Sequence, residues 1–263
     1  NLDIVTGATV MKINLHLNRA RSINVLYQNS FDTIHSSKEI ILSCGAINSP
    51  KLLMLSGIGP ADHLKEHSIV PLVNLPGVGK NLQDHATVIL KYDCKKYLPI
   101  HGMNNNFKKL ATGMQWLTSQ TGLACTNVWE AGGLIKSNEE VSYPNIQYHF
   151  GPVGFEVINK SIRVKQGFVL HIDQLRPKSR GHLKLNKNNV FGKPELFFNY
   201  MTELNDIKEM SEGIEKGREI VKQRSFDEFR GDEITGVAEG IDKNNMNELI
   251  KGLTETDYHP CGT

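Results

Sequence analysis

The segment EIILSCGAINSPKLLMLSGIGP, residues 39–60, carries the reading of the fold. It opens on a short continuous apolar run, Glu39 to Ser43, the pattern of a strand buried on both faces. Gly45 and Ala46 follow, small enough for a ligand or another backbone to approach closely. Ser49 then reads as a helix N-cap and Pro50 as the first helical residue. Leu52, Leu53 and Leu55 carry the helix inward, and Gly57 can stop it. A strand that turns into a helix start presents unpaired N–H groups and a positive dipole end, a place for an anion or a polar cofactor edge. An ordinary βα turn satisfies the same pattern.

Upstream, the first 43 residues read as strands. Ile13, Leu15 and Leu17 alternate onto one face, and SINVLY (residues 22–27) follows a polar turn and is able to pair with that run antiparallel. Downstream, ATVILKYD, NIQYHF, FVLHI and GHLKLNKNN read as strands. Two segments have helical spacing. Phe107, Leu110, Ala111, Met114 and Leu117 form one stripe, expected to face a core; Ile207, Met210, Ile214, Gly217 and Val221 form the other. Strands and helices mix without βα alternation, which suits α+β.

The 263 residues, 39% hydrophobic, suffice for one or two domains, and 30 Lys+Arg against 28 Asp+Glu give no reason to expect a nucleic-acid partner. No apolar run approaches the ~20 residues of a membrane span. Cys44, Cys94, Cys125 and Cys261 lie far apart and read as free thiols, with no metal spacing. Asn159-Lys160-Ser161 is a glycosylation sequon of little weight. The glycine pairs at Gly57 and Gly77 lack the third glycine of a dinucleotide fingerprint, and GVGKN fails as a phosphate loop. Both ends read as cut from a longer protein.

Most of the ten histidines have plain readings. His16, His35, His63 and His67 fall in turns or polar helix faces and read as solvated, while His149 and His171 fall within strands. YHPCGT (residues 258–263) differs, because Pro and a small turn hold His259 at a loop edge. There it is either an ordinary loop residue or a base able to take a proton from an alcohol near neutral pH.

Five segments together resemble the glucose–methanol–choline oxidoreductase family, in its order and at its spacing: TGATVMKI (6–13), GAINSPKLLMLSGIGP (45–60), PGVGKNLQDH (76–85), LRPKSRGHLKL (175–185) and YHPCGT. The likeness points most closely to the insect members, glucose dehydrogenase-like or salicyl-alcohol-oxidase-like. It implies an α/β FAD-binding domain of the glutathione-reductase-like type plus an α+β substrate domain on an antiparallel sheet. Residues 1–85 would be the central part of the FAD domain, 86–255 the substrate domain, and 256–263 a return to the flavin. Val10 would meet the adenine through its backbone, Cys44, Gly45 and Ala46 would lie beside the cofactor, and Tyr258 and His259 would sit at the flavin ring.

The resemblance further implies oxidation of a primary alcohol or sugar, hydride passing to flavin N5 with His259 as base and oxygen or a quinone as electron acceptor. The family's amino-terminal G-x-G-x-x-G unit and its second catalytic residue are outside this sequence, so the segment alone is expected neither to hold FAD nor to turn over. A non-catalytic paralogue and a flavin-containing hydroxynitrile lyase of the same fold remain alternatives. Insect members are often extracellular.

Overall fold

In chain order, the first elements are β1 (Ala8–His16), β2 (Arg19–Tyr27), β3 (Ser30–His35), α1 (Gly45–Leu55), β4 (Ile58–Gly59), α2 (Ala61–Glu66), β5 (Val73–Asn74) and β6 (Lys80–Leu82). Then come β7 (Ala86–Cys94), α3 (Asn106–Ser119), β8 (Ala131–Ile135), β9 (Ile146–Gly151), β10 (Gly154–Ile158), β11 (Ser161–Lys165) and β12 (Gly167–Gln174). The last are β13 (Gly181–Lys184), β14 (Glu195–Phe197), α4 (Leu204–Val221), β15 (Arg230–Glu233), α5 (Lys243–Leu253) and β16 (Glu255–Thr256). This computed structural model describes residues 2–159, 161–235 and 243–263; Lys160 of the sequon lies outside them.

The chain forms two compact units. The first comprises Asn1–Asp84, Ser179–Asn199 and His259–Thr263; the second comprises His85–Lys178 and Tyr200–Tyr258. Ser179–Asn199 therefore clusters with the first unit, although it falls inside the 86–255 segment read as one domain. The reason is strand pairing, since β13 bonds to β6 with Gly181 opposite Leu82.

In the first unit, β1, β2 and β3 form an antiparallel meander in which Ile13 pairs with Ile23 and Ile23 with Ile34. Ser56 ties α1 to β1: its hydroxyl accepts the Ile13 N–H at 2.8 Å and donates to Leu52 O at 2.6 Å. Gly57 ends the helix as expected, at φ +83°, a conformation that costs glycine little. Met54, Leu64, Leu183 and Leu185 form the small core beneath.

Two expectations fail here. Glu39–Ser43 is not a strand, since a strand exists only by pairing and among the described residues nothing pairs with it; Ile41 is 78% exposed. The helix begins at Gly45 with Cys44 as N-cap, so Pro50 lies inside it, and Ser49 Oγ accepts the Cys44 N–H instead of capping.

The second unit is a six-stranded antiparallel sheet, ordered β15-β7-β12-β9-β8, with β16 also on β7. Even-numbered residues of β7, β9 and β12 (Val88, Leu90, Ile146, Tyr148, Leu170, Ile172) face the core. α4 covers them with Ile207, Met210, Ile214 and Val221, as its periodicity predicts. It approaches closely because Gly213 and Gly217 leave room: a Cβ there would stand 3.0 Å from Ile172 and 3.1 Å from Leu170.

α3 is a helix as expected, capped by Asn105, whose side chain accepts the Phe107 and Lys108 N–H groups. Its stripe, however, faces no core: Phe107 is 84% exposed, Leu110 65%, Met114 51% and Leu117 69%. Periodicity shows that a helix has two faces; it does not say that something covers one of them.

Candidate functional site

The first unit brings three of the singled-out segments together. Val10 on β1 and Cys44 at the start of α1 line one cavity of about 350 Å³, with Thr9, Asn48, Lys51 and Leu52. That volume lies near the low end of the ~300–1,000 Å³ range of small-molecule pockets, so it suits one portion of a dinucleotide rather than all of it. Strand backbone forms one wall and the first turns of α1 the other, where unpaired N–H groups favour a polar or anionic edge. Lys51 is held below the usual lysine range by burial, and its Nζ donates to Phe191 O at 2.7 Å.

The His259 segment is fixed by the strand before β7. The Cys261 N–H donates to Gln83 O and the Gln83 N–H to Cys261 O, each at 2.9 Å. The His259 N–H donates to Asp84 Oδ1 at 2.8 Å, and Asp84 is only 4% exposed. Thr263 Oγ1 donates to Ala46 O, which joins the last residue of the chain to the first turn of α1. His259 itself is exposed. Gly45 opens α1, and a Cβ on it would meet nothing within 4 Å.

Tyr258, 84% exposed, belongs to the second unit, where its N–H donates to Thr256 Oγ1 at 3.0 Å. Asp84 and Thr263 were not singled out from the sequence as site residues. Asp84 stands inside the quoted PGVGKNLQDH segment, but nothing in a sequence distinguishes a buried acid there from a solvated one.

Other histidines have structural roles. His63 Nε2 accepts the Leu185 N–H at 3.1 Å, and His67 Nδ1 donates to His63 O at 2.9 Å. Both were expected to be solvated; each is instead bonded to backbone. The donor atoms of His63, Glu66 and His67 lie within 4.8 Å of one another. Yet an Nε2 that accepts a proton leaves the neutral ring's hydrogen on Nδ1, facing Glu66 at 3.7 Å, and that tautomer is not a metal ligand there. All four cysteines are free thiols. No helix among the described residues is long and apolar enough to cross a membrane.

Two family models described as GMC oxidoreductase match residues 1–87 and 177–263. The oxygen-dependent choline dehydrogenase of Brucella ovis is 39% identical over 263 residues, covering 100% of this chain and 48% of that protein. The corresponding protein of Staphylococcus xylosus is 38% identical over 260 residues, covering 99% and 46%. The chain thus spans about half the length of the curated relatives it matches. These relatives are bacterial, and the expected insect affiliation finds no support in them.

Among solved structures, a formate oxidase superposes with TM-score 0.87 at 22% identity, covering 97% of this chain and 50% of that one. Pyridoxine 4-oxidase from Mesorbium loti gives 0.80 at 23%, covering 99% and 47%. At those identities the likeness shows the fold, an FAD-binding one that combines helices with antiparallel sheets. With the two family models together matching residues 1–87 and 177–263, more than half of the chain, it belongs to the glucose–methanol–choline (GMC) oxidoreductase family of FAD-binding proteins.

Proposed function

We propose that the protein is an FAD-dependent oxidoreductase acting on the CH–OH group of a primary alcohol or sugar. The observation that carries this reading is the bond from Thr263 to Ala46, which seats the His259 segment in the same unit as the Val10–Cys44 cavity. The first unit is then the FAD-binding part and the second, with its antiparallel sheet, the substrate domain. Val10 backbone, Cys44, Gly45 and Ala46 would hold the cofactor, their small size letting it approach the backbone. Tyr258 and His259 would flank its ring. When bound, FAD supplies the acceptor for the hydride of the alcohol carbon.

The chain's own part is proton handling and orientation. His259 accepts the hydroxyl proton on an imidazole nitrogen, and the bond from its backbone N–H to Asp84 holds its loop in place. The choline dehydrogenases among the relatives make a small primary alcohol the first substrate to try, and their description as oxygen-dependent favours oxygen over a quinone as acceptor.

The test is anaerobic mixing of the complete, flavin-loaded protein with choline, benzyl alcohol and glucose while the flavin absorbance is followed. Bleaching by one of them, lost in His259→Ala, is the expected result. A bound flavin that no alcohol bleaches refutes the reading and leaves a lyase or a binding paralogue.

A further inference from the structure

None of the 14 residues of α3 is buried, and the helix packs chiefly on the short turn Leu123–Cys125. Its sequence is nevertheless two-sided. At 100° per residue, Leu117, Leu110, Met114 and Phe107 fall within an arc of about 80°, and each is more than half exposed. Thr112, Gln115 and Ser119 occupy the opposite side. Lys108 and Lys109 stand on the two flanks between them, one on each side.

The charge around this helix has one sign. From Cys94 to Trp129 the chain carries Lys95, Lys96, Lys108 and Lys109 and no acidic residue. Two of these are engaged by the second unit itself, Lys96 with the Glu228 carboxylate and Lys95 with Asp227 O at 3.4 Å. The two on α3 have no carboxylate partner among the described residues. Lys108 instead sets its Nζ 5.1 Å above the ring of Tyr97, itself exposed, so an aromatic ring and an ammonium share one flank of the apolar stripe.

An exposed apolar stripe marks a surface for another protein or for a membrane. A protein groove would select for shape, and the flanking charges could then have either sign. A lipid surface asks for what α3 has: an apolar face, cationic flanks whose stems reach back to the headgroups, and an aromatic ring at the boundary. At about 21 Å, the helix is too short to span a bilayer but able to lie along one.

We propose that α3 docks the protein on an anionic lipid surface. The helix lies in the plane of the interface, with Phe107, Leu110, Met114 and Leu117 at the acyl boundary and Lys108 and Lys109 against lipid phosphates. This docking is independent of the reaction proposed above.

The test floats the complete protein with vesicles of phosphatidylcholine alone and with vesicles that also contain phosphatidylserine. The protein rises with the anionic vesicles, and added salt weakens the binding. Lys108→Gln and Lys109→Gln each lower the partition coefficient about fivefold, while Lys109→Arg leaves it unchanged. Phe107→Ser combined with Leu110→Ser lowers it at least about tenfold. Because these side chains are exposed, that double variant keeps the thermal midpoint of the parent.

Failure to float with anionic vesicles, equal flotation with neutral ones, or full binding by the double variant overturns the proposal. A lowered thermal midpoint of the double variant in the complete protein also overturns it, since the face is then covered from within. Self-association that the double variant abolishes, without flotation, overturns it too and assigns the face to a second copy.

Discussion

Ile214→Ala and Leu110→Ala remove the same class of side chain from two helices with equally regular apolar stripes, and they should have very different costs. Ile214 is 1% exposed within the core that α4 shares with the sheet, whereas Leu110 is 65% exposed on α3. Truncating Ile214 deletes three carbons, about 2.5 kcal/mol at ~0.8 kcal/mol per buried carbon. The close packing of Gly213 and Gly217 on Ile172 and Leu170 resists collapse into the gap, so a cavity penalty adds to this and about 3 kcal/mol is expected. Leu110→Ala should cost less than about 0.5 kcal/mol.

Urea unfolding followed by tryptophan fluorescence measures both, because the two tryptophans, Trp116 and Trp129, lie in the second unit. With a slope near 2 kcal/mol/M, the Ile214 variant's midpoint falls by about 1.5 M and the Leu110 variant's by less than about 0.3 M. Equal shifts would refute the placement of α3 outside the core. A loss below about 1 kcal/mol for Ile214→Ala would refute the packing of α4.

Gly79→Ala is expected to cost about 2 kcal/mol, read as a lower thermal midpoint, because φ is +79° and the added Cβ would lie 2.6 Å from Leu183 O. Asp84→Ala should slow flavin reduction at least about tenfold while the bound flavin spectrum is unchanged, since it frees the His259 backbone; Asp84→Asn, which keeps an acceptor, should retain most of the rate. Burial makes His171 titrate at about 4 folded against 6.5 unfolded. It is neutral in both states above pH 6.5, and as pH falls from 6.5 to about 4 only the unfolded chain gains the proton. Stability therefore drops over that window by up to roughly 3 kcal/mol. His171→Gln should unfold with a flatter acid limb in urea titrations at pH 7, 5.5 and 4.5. Thr263→Val should cost about 1 kcal/mol and raise hydrogen exchange in the His259–Thr263 segment by removing the bond to Ala46.

What the sequence makes legible depends on whether a pattern refers to the chain itself or to a partner. β1 follows from alternation, β2, β7, β9 and β12 from their strand-like runs, and α4 from its stripe, because each pairs or packs with a neighbour within its unit. The α3 stripe and the apolar run at Glu39–Ser43 have the same local signatures and no such neighbour among the described residues. Neither β13 joining β6 nor Asp84 reaching the His259 backbone has a local signature, since both join residues about a hundred or more positions apart. The sheet face turned away from α4 was half legible: His149 and His171 were placed on strands, but Asp173 beside them shows itself only in the register.

Pro50 has two consequences for α1. Proline suits the first position of a helix because its missing N–H would have no partner there. In α1 it is the sixth residue, where the missing N–H deprives the carbonyl four residues earlier of its helical bond. That carbonyl is Ala46 O, and it is the group that accepts the Thr263 hydroxyl. A half-buried backbone acceptor without a helical donor takes another partner, and Thr263 supplies one. The same chemical fact, a proline that cannot donate, therefore explains both readings. As a mark of the helix start it misplaces the N-cap by five residues, from Cys44 to Ser49. As a gap in the helix ladder, it accounts for how the His259 segment is docked onto the first turn of α1.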